Sequence, residues 1–274
     1  MEDTIEILLA ERPHRVKQGT SLYALKAQAH PDADVVVLNG APMPDDVTLQ
    51  AGDAVVFIRR GQIPGKDELE ALMAARHTPG VHRILKGSCV GIAGAGGLGS
   101  AVAIALARVG LGRLVVVDFD VVEPSNLNRQ QFFVDQIGMP KVEALAANLA
   151  RINPYVQVTA LQARLTPENT PEIFREAQIL VEAFDAADQK AMIVECWQTR
   201  FPDRPVVAAT GLAGHMPSNT VLTRTFGPNL VIVGDRVTAA CPGTGLMAPR
   251  VGVAAHHQAN AVLRILLGED PAGH

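Results

Sequence analysis

Gly91-Ile92-Ala93-Gly94-Ala95-Gly96-Gly97-Leu98-Gly99 lies between two apolar segments of different period. Cys89 to Ala93 reads as a buried strand, whereas Leu98, Val102, Ala105, Leu106 and Val109 recur at helical spacing. Gly94, Gly96 and Gly99 match G-x-G-x-x-G, with Gly97 between the last two. A strand, a glycine turn and a helix in this order let the backbone approach a phosphate closely, and the helix start offers unpaired N–H groups and a favourable dipole. The next strand, Leu114 to Val117, ends at Asp118, where a carboxylate can accept hydrogen bonds from ribose hydroxyls. The bare alternative is a tight turn that holds no ligand.

Working outward, strand and helix patterns keep alternating. Val142, Leu145, Ala146, Leu149 and Ile152 mark a helix stopped by Asn153-Pro154. Strands are predicted near 156–161, 179–183 and 205–209, an antiparallel pair over 219–233 around Gly227-Pro228, and a last helix over 248–267. This pattern predicts an α/β, Rossmann-like fold with a largely parallel sheet and helices on both faces. Between Asp118 and that first downstream helix stand Asp120, Asn126, Arg129, Gln130 and Lys141. Arg can fork onto two phosphate oxygens and Lys supplies a compact cation, so the set suits charge development at phosphorus rather than hydride transfer. A solvated polar loop is the competing reading. Farther on, Glu182-Ala183-Phe184-Asp185-Ala186-Ala187-Asp188 follows an apolar strand, and a carboxylate at such a strand end can hold Mg2+. Asp188 reads as a helix N-terminal residue.

Residues 1–60 read as a separate unit. Ile5, Ile7 and Leu9 alternate as in a half-buried strand, and Arg15 to Lys17 can return beside it. Thr20 or Ser21 can cap a helix carrying Leu22, Leu25 and Ala29 on one face, ended by Pro31. Val35 to Leu38 and Ala54 to Ile58 are further strands, the first closed by Asn39-Gly40 and the second preceded by Gly52-Asp53. The expected division is a small α+β domain over 1–62, a linker with a helical portion over 63–80, and the α/β domain over 81–274.

Composition narrows the class. Of 274 residues, 48% are hydrophobic and the formal net charge is −4, which suits a globular protein with a sizeable core and gives no support for a nucleic-acid surface. The apolar stretch 89–117 contains Arg108, Arg113 and many glycines, so no membrane span is expected. The acidic start, Met1-Glu2-Asp3-Thr4, is unlike a signal peptide, and a cytoplasmic protein is expected. Cys89, Cys196 and Cys241 are too scattered for a disulfide framework, and the lack of Cys-x-x-Cys excludes a four-cysteine structural zinc. Cys89 and Cys196 read as core residues. His256-His257 lack a third ligand at suitable spacing.

Taken in order, Gly94-Ala95-Gly96-Gly97-Leu98-Gly99, Asp118-Phe119-Asp120, Asn126-Leu127-Asn128-Arg129-Gln130, Gly138-Met139-Pro140-Lys141 and Met247-Ala248-Pro249 resemble the ThiF/MoeB/HesA superfamily of ubiquitin-activating-type adenylyltransferases over roughly residues 76–267. The resemblance implies ATP-dependent adenylation of the C-terminal glycine of a ubiquitin-like carrier. It implies that Asp118 holds the ribose, that Arg129 and Lys141 hold the triphosphate, and that Asn126 and Gln130 shape the site. In the same register Asp185 becomes the metal and catalytic residue for Mg2+, although the usual Asp-Asn pair is Asp185-Ala186 here. Lys190 falls where the family often has a basic residue. A homodimer is implied, with Arg76 as either the arginine that reaches the neighbouring subunit's ATP site or an ordinary solvated helix residue. Cys241 is either a thiol that handles the activated carrier or, the reading favoured here, a small buried hydrophobe.

Residues 4–60 resemble the small β-grasp sulfur carriers of the ThiS/MoaD type, and the whole chain resembles the fused ThiF branch. Free carriers end in Gly-Gly, but here the last strand runs into Arg60-Gly61-Gln62-Ile63-Pro64-Gly65. The expected substrate is therefore a separate ThiS-type carrier, with an unidentified sulfur donor and a role in making a thiocarboxylate for thiamine thiazole synthesis. The alternatives are an NAD-dependent oxidoreductase, a non-catalytic carrier-binding adaptor of the same fold, and a tRNA-modifying dehydratase of the superfamily.

Overall fold

The computed structural model describes residues 3–75, 77, 78 and 80–273. The chain divides into two compact units, Met1–Pro79 and Gly80–His274. The first contains β1 (Thr4–Leu9), β2 (Arg12–Lys17), α1 (Leu22–Ala29), β3 (Val35–Leu38), β4 (Ala41–Pro42), β5 (Ala54–Ile58) and α2 (Lys66–Ala74). Its sheet runs β2-β1-β5-β3-β4. β1 lies parallel to β5, and the other pairings are antiparallel. The ThiS/MoaD-like order of elements is thus present, with a two-residue strand and a longer β2 that periodicity did not reveal. Ser21 caps α1 by accepting the Ala24 amide at 3.2 Å. Leu22 and Leu25 enter the core with Ile7, Val36, Val55 and Phe57, whereas Ala29, expected on the same face, is exposed. Asn39 makes the β3–β4 turn with positive φ, and its side chain exchanges hydrogen bonds of 2.9 Å with the Asp53 carboxylate and the Ala54 amide.

The second unit contains α3 (Val81–Lys86), β6 (Cys89–Ala93), α4 (Gly97–Arg108), β7 (Arg113–Asp118), α5 (Lys141–Ile152), β8 (Gln157–Gln162), α6 (Thr170–Ile173), β9 (Ile179–Glu182), α7 (Ala187–Arg200), β10 (Val206–Ala209), β11 (Leu222–Phe226), β12 (Leu230–Gly234) and α8 (Ala248–Leu266). Its seven strands run β11-β12-β10-β9-β6-β7-β8, all parallel except β11. The central strands are apolar between their ends because both faces are buried. Val90, Ile92, Leu114 and Val116 join α4, α5 and α8 in one core. Ala93, Val115, Val117 and Leu180 join Phe174, Ile193 and Trp197 in the other. The expected Rossmann-like sheet with helices on both faces is therefore present.

β6 is the pivot of this order. The chain moves from β6 to β7 on one side and later returns to β9 on the other, which opens a crevice at the carboxyl ends of β6 and β9. Cys89 and Cys196 are half-buried rather than enclosed, and burial pushes both thiols above their ordinary range. Among the described residues, no helix is long and apolar enough to cross a membrane.

Candidate functional site

The glycine turn occupies the pivot. Gly94 has φ of +100°, and a Cβ there would stand 3.0 Å from the Ala183 carbonyl oxygen on the β9 side of the crevice. A Cβ on Gly99 would overlap the Gly94 carbonyl and stand 3.1 Å from Ile92 Cγ2, so only glycine lets α4 start this close to β6. Gly96 differs: its Cβ position meets only Gln130 Nε2, at 3.9 Å. Ser100, which the sequence pattern did not single out, donates to the Gly96 carbonyl at 2.6 Å and accepts the Gln131 amide at 3.1 Å. It ties the turn to the polar segment that follows β7.

Asp118 ends β7 beside this turn. Its two carboxylate oxygens accept the Ala95 amide at 2.7 Å and the Asp120 amide at 2.8 Å. Burial pushes its carboxyl above the usual range, opposed by those two amides and by the nearby Lys141 charge. Asp118 thus fastens the glycine turn to β7, and each oxygen retains a lone pair for another donor. Lys141 begins α5 and is buried, with its ammonium 2.8 Å from Asp120 Oδ2. Arg164, also missed by motif reading, stacks its guanidinium over the Phe119 ring at 4.0 Å, next to Asp118 in the chain.

Asn126 lies in the short 3-10 helix Pro124–Asn128, where its Oδ1 accepts the Glu123 amide at 3.1 Å. Its observed contacts make it a structural cap that fixes the position of Arg129 and Gln130. The Arg129 stem covers Gly97, whose Cβ would lie 3.3 Å from Arg129 Cγ, and its guanidinium donates to Asn128 at 2.8 Å. Gln130 is buried, yet its Oε1 has no hydrogen-bond partner. An orphaned acceptor beside a glycine turn fits a site completed by a ligand donor.

Across the crevice, Asp185 is exposed three residues beyond the end of β9, and Asp188 lies in the first turn of α7 as expected. Among the described residues, no group of three or more His, Cys, Asp or Glu side chains is placed to hold a metal ion. The dominant polar feature here is Glu182, fully buried and paired with Lys190. A carboxylate closing an apolar strand was the available signal, but strand periodicity gives no partner for it.

Cys241 is exposed in a turn closed by its bridge to Thr244, so the favoured buried-hydrophobe reading is wrong: the Pro242-Gly243 pair turns the chain at the surface. Arg76 lies outside the described residues. His256 is exposed, and His257 Nδ1 lies 3.0 Å from the Thr223 hydroxyl.

Residues 70–273 match the description "ThiF family". The chain belongs to the ThiF family. Ahead of its ThiF domain, residues 5–61 match "ThiS-like ubiquitin". The ThiF domain is similar to the molybdopterin-synthase adenylyltransferase of Escherichia coli K12, at 32% identity over 195 residues, covering 67% of this chain and 75% of that protein. It is also similar to the sulfur carrier protein ThiS adenylyltransferase of Bacillus subtilis 168, at 33% identity over 199 residues, covering 70% of this chain and 58% of that protein. These relatives are adenylyltransferases, the enzyme class that the sequence motifs imply. Among solved structures, E. coli tRNA N6-threonylcarbamoyladenosine dehydratase in complex with AMP matches with a TM-score of 0.67, covering 76% of this chain and 98% of that one. Its identity is 19%, so this likeness is one of fold.

Proposed function

We propose that this ThiF-family protein adenylates the C-terminal glycine carboxylate of a separate ThiS-type sulfur carrier, using MgATP, for thiamine thiazole synthesis. The observation that carries the reading is the convergence at the carboxyl ends of β6 and β7 of the glycine turn, Asp118, Arg129 and the orphaned Gln130 acceptor, with Asp185 following β9. The α4 N-terminus supplies amides for phosphate, and Asp118 receives a ribose hydroxyl on its remaining lone pairs. Arg129 and Lys141 face the phosphates as fixed cations, Lys141 being held by Asp120. Mg2+ would neutralise phosphate charge, with Asp185 as its protein ligand and phosphate and water completing its oxygen shell.

The carrier carboxylate oxygen attacks the α-phosphorus. The bond from that phosphorus to the bridging oxygen breaks, and pyrophosphate leaves with its electron pair. Adenylation therefore needs positioning and charge stabilisation more than proton transfer. A homodimer belongs to this proposal, as does an assisting role for the fused ThiS-like unit in docking the separate carrier.

Carrier-dependent exchange of labelled pyrophosphate into ATP tests the reaction. Lys141→Ala, Arg129→Ala and Asp185→Ala should each abolish or greatly reduce it, and exchange that survives all three overturns the site assignment. Offering ThiS-type and MoaD-type carriers in parallel tests the pathway: preference for the MoaD type would reject the thiamine assignment. A chain beginning at Lys66 with unchanged carrier affinity and turnover would reject the docking role of the first unit.

A further inference from the structure

Glu182 is the last residue of β9 and its side chain is 1% exposed. An isolated carboxylate is not stable at such a position, and burial does push its carboxyl upward against the opposing Lys190 charge. The surroundings supply compensation from several directions. Lys190, in the first turns of α7, places its ammonium 3.0 Å from both carboxylate oxygens and donates to the Ala209 carbonyl of β10 at 3.0 Å. The Phe184 amide donates to Glu182 Oε1 at 2.7 Å, so the carboxylate turns its own chain as β9 ends. From α8, the buried Gln258 donates to the Glu182 carbonyl at 3.0 Å and to the Val207 carbonyl at 3.1 Å.

The segment shaped by these bonds is the one that touches the glycine turn. The Ala183 carbonyl and the Phe184 ring stand 3.0 Å and 3.2 Å from the position of a Cβ on Gly94, and Asp185 is the next residue. Backbone pairing holds the two walls together as far as the 2.9 Å bond from the Ala183 amide to the Ala93 carbonyl, and beyond it the Glu182 carboxylate shapes the turn through the Phe184 amide. Lys190, and the Ala209 amide 3.5 Å from Glu182 Oε2, join that carboxylate to the carboxyl end of the neighbouring strand.

We propose that Glu182 and Lys190 are a positioning pair for adenylation, holding the Ala183–Asp185 turn against the glycine turn and so fixing the place from which Asp185 reaches the phosphates. This rests on the assignment of Asp185 to nucleotide chemistry. Neither member of the pair touches the nucleotide. The pair acts on the turnover step, not on the capture of ATP.

The experiment compares the full-length protein with Lys190→Met, Lys190→Arg and Glu182→Gln, of which Lys190→Arg conserves charge and Glu182→Gln conserves shape. In carrier-dependent pyrophosphate exchange, Lys190→Met and Glu182→Gln should lower kcat by about 100-fold, the loss expected when a reacting group is misplaced by about 1 Å, with KM for ATP little changed. Lys190→Arg, which keeps the charge and the donors, should restore most of the rate. In the nucleotide-free protein, hydrogen exchange at the Phe184 and Ala209 amides should quicken in Lys190→Met and Glu182→Gln but not in Lys190→Arg. A wild-type kcat in Glu182→Gln, an equal loss in Lys190→Arg, or unchanged amide protection overturns the pair. Absence of exchange in the wild-type protein would instead overturn the proposed reaction, and the amide measurement would still decide whether the pair holds the turn.

Discussion

Two glycines of the same turn are expected to fail in different ways when each gains one methyl group. In Gly99→Ala the new Cβ overlaps the Gly94 carbonyl and meets Ile92 Cγ2 at 3.1 Å, both parts of the packed framework. Overpacking of this kind costs about 1–3 kcal/mol. Alanine recovers about 0.5–1 kcal/mol of that within a helix, leaving a net loss of up to about 2.5 kcal/mol. For a unit of this size, such a loss lowers Tm by up to about 10 °C. In Gly96→Ala the backbone has an ordinary negative φ of −77°, and the methyl meets nothing nearer than Gln130 Nε2 at 3.9 Å. The fold should lose no more than about 1 kcal/mol, the preference of a helix N-cap for glycine over alanine. The methyl would instead project toward the space assigned to phosphate. A clash there of about 1–3 kcal/mol weakens ATP binding by about tenfold to a hundredfold. Thermal unfolding and calorimetric ATP titration on both variants separate the two outcomes. If Gly96→Ala binds ATP like the wild type, or destabilises the protein as much as Gly99→Ala does, the placement of phosphate at this turn is wrong.

Asp118 should leave a pH signature in stability. Its folded carboxyl is raised above the ordinary 3.8, so its favourable contribution is full below that value and is lost as pH rises through the folded one. Relative to Asp118→Asn, the wild type should therefore lose stability as pH rises above the ordinary carboxylate range in urea titrations, and a pH-independent difference would contradict the assignment. Arg250 offers a structural counterpart. It is buried and donates to Asp235 at 2.6 Å, to the Met216 and Pro217 carbonyls at 2.9 and 3.1 Å, and to Thr220 at 3.1 Å. Arg250→Met should cost about 3–5 kcal/mol because Asp235 is left without its counter-charge, and calorimetry showing less than about 1 kcal/mol would refute that.

The Rossmann-like half was legible because its signals are local. Strands buried on both faces read as unbroken apolar runs, and α5 shows apolar residues at helical spacing up to Asn153-Pro154. Short elements were not legible: α3 has only six residues and β4 two, too few for any period to emerge. The site divides in the same way. Gly94, Gly96, Asp118 and Arg129 were readable because motif order along the chain is preserved in space. Ser100, Glu182, Gln258 and Arg250 were not assigned because their meaning lies in partners far along the chain, such as the 76-residue separation between Gln258 and Glu182. Asn126 was named from its motif as shaping the site, and its contacts, a cap on Glu123 and a carbonyl that accepts the Arg129 and Gln130 amides, depend on pairings the motif does not specify.

The fused ThiS-like unit bears on where the nucleophile comes from. A free carrier needs an extended, unattached tail to reach the α-phosphorus. Here the chain beyond β5 is instead folded back. The Arg60 amide donates to the Asp34 carboxylate at 2.8 Å, Gly61 turns with φ of +76°, and the Gln62 amide returns to the Arg59 carbonyl at 3.2 Å. α2 then begins at Lys66, and the Arg12 guanidinium donates to the Asp67 carbonyl in its first turn. Each of these contacts uses backbone that a carrier tail must keep free, and the peptide bond after Gly61 leaves no carboxylate to activate. The unit that resembles a carrier thus has neither a free carboxylate nor a free tail at this point, and the proposed reaction draws its attacking carboxylate from a different chain.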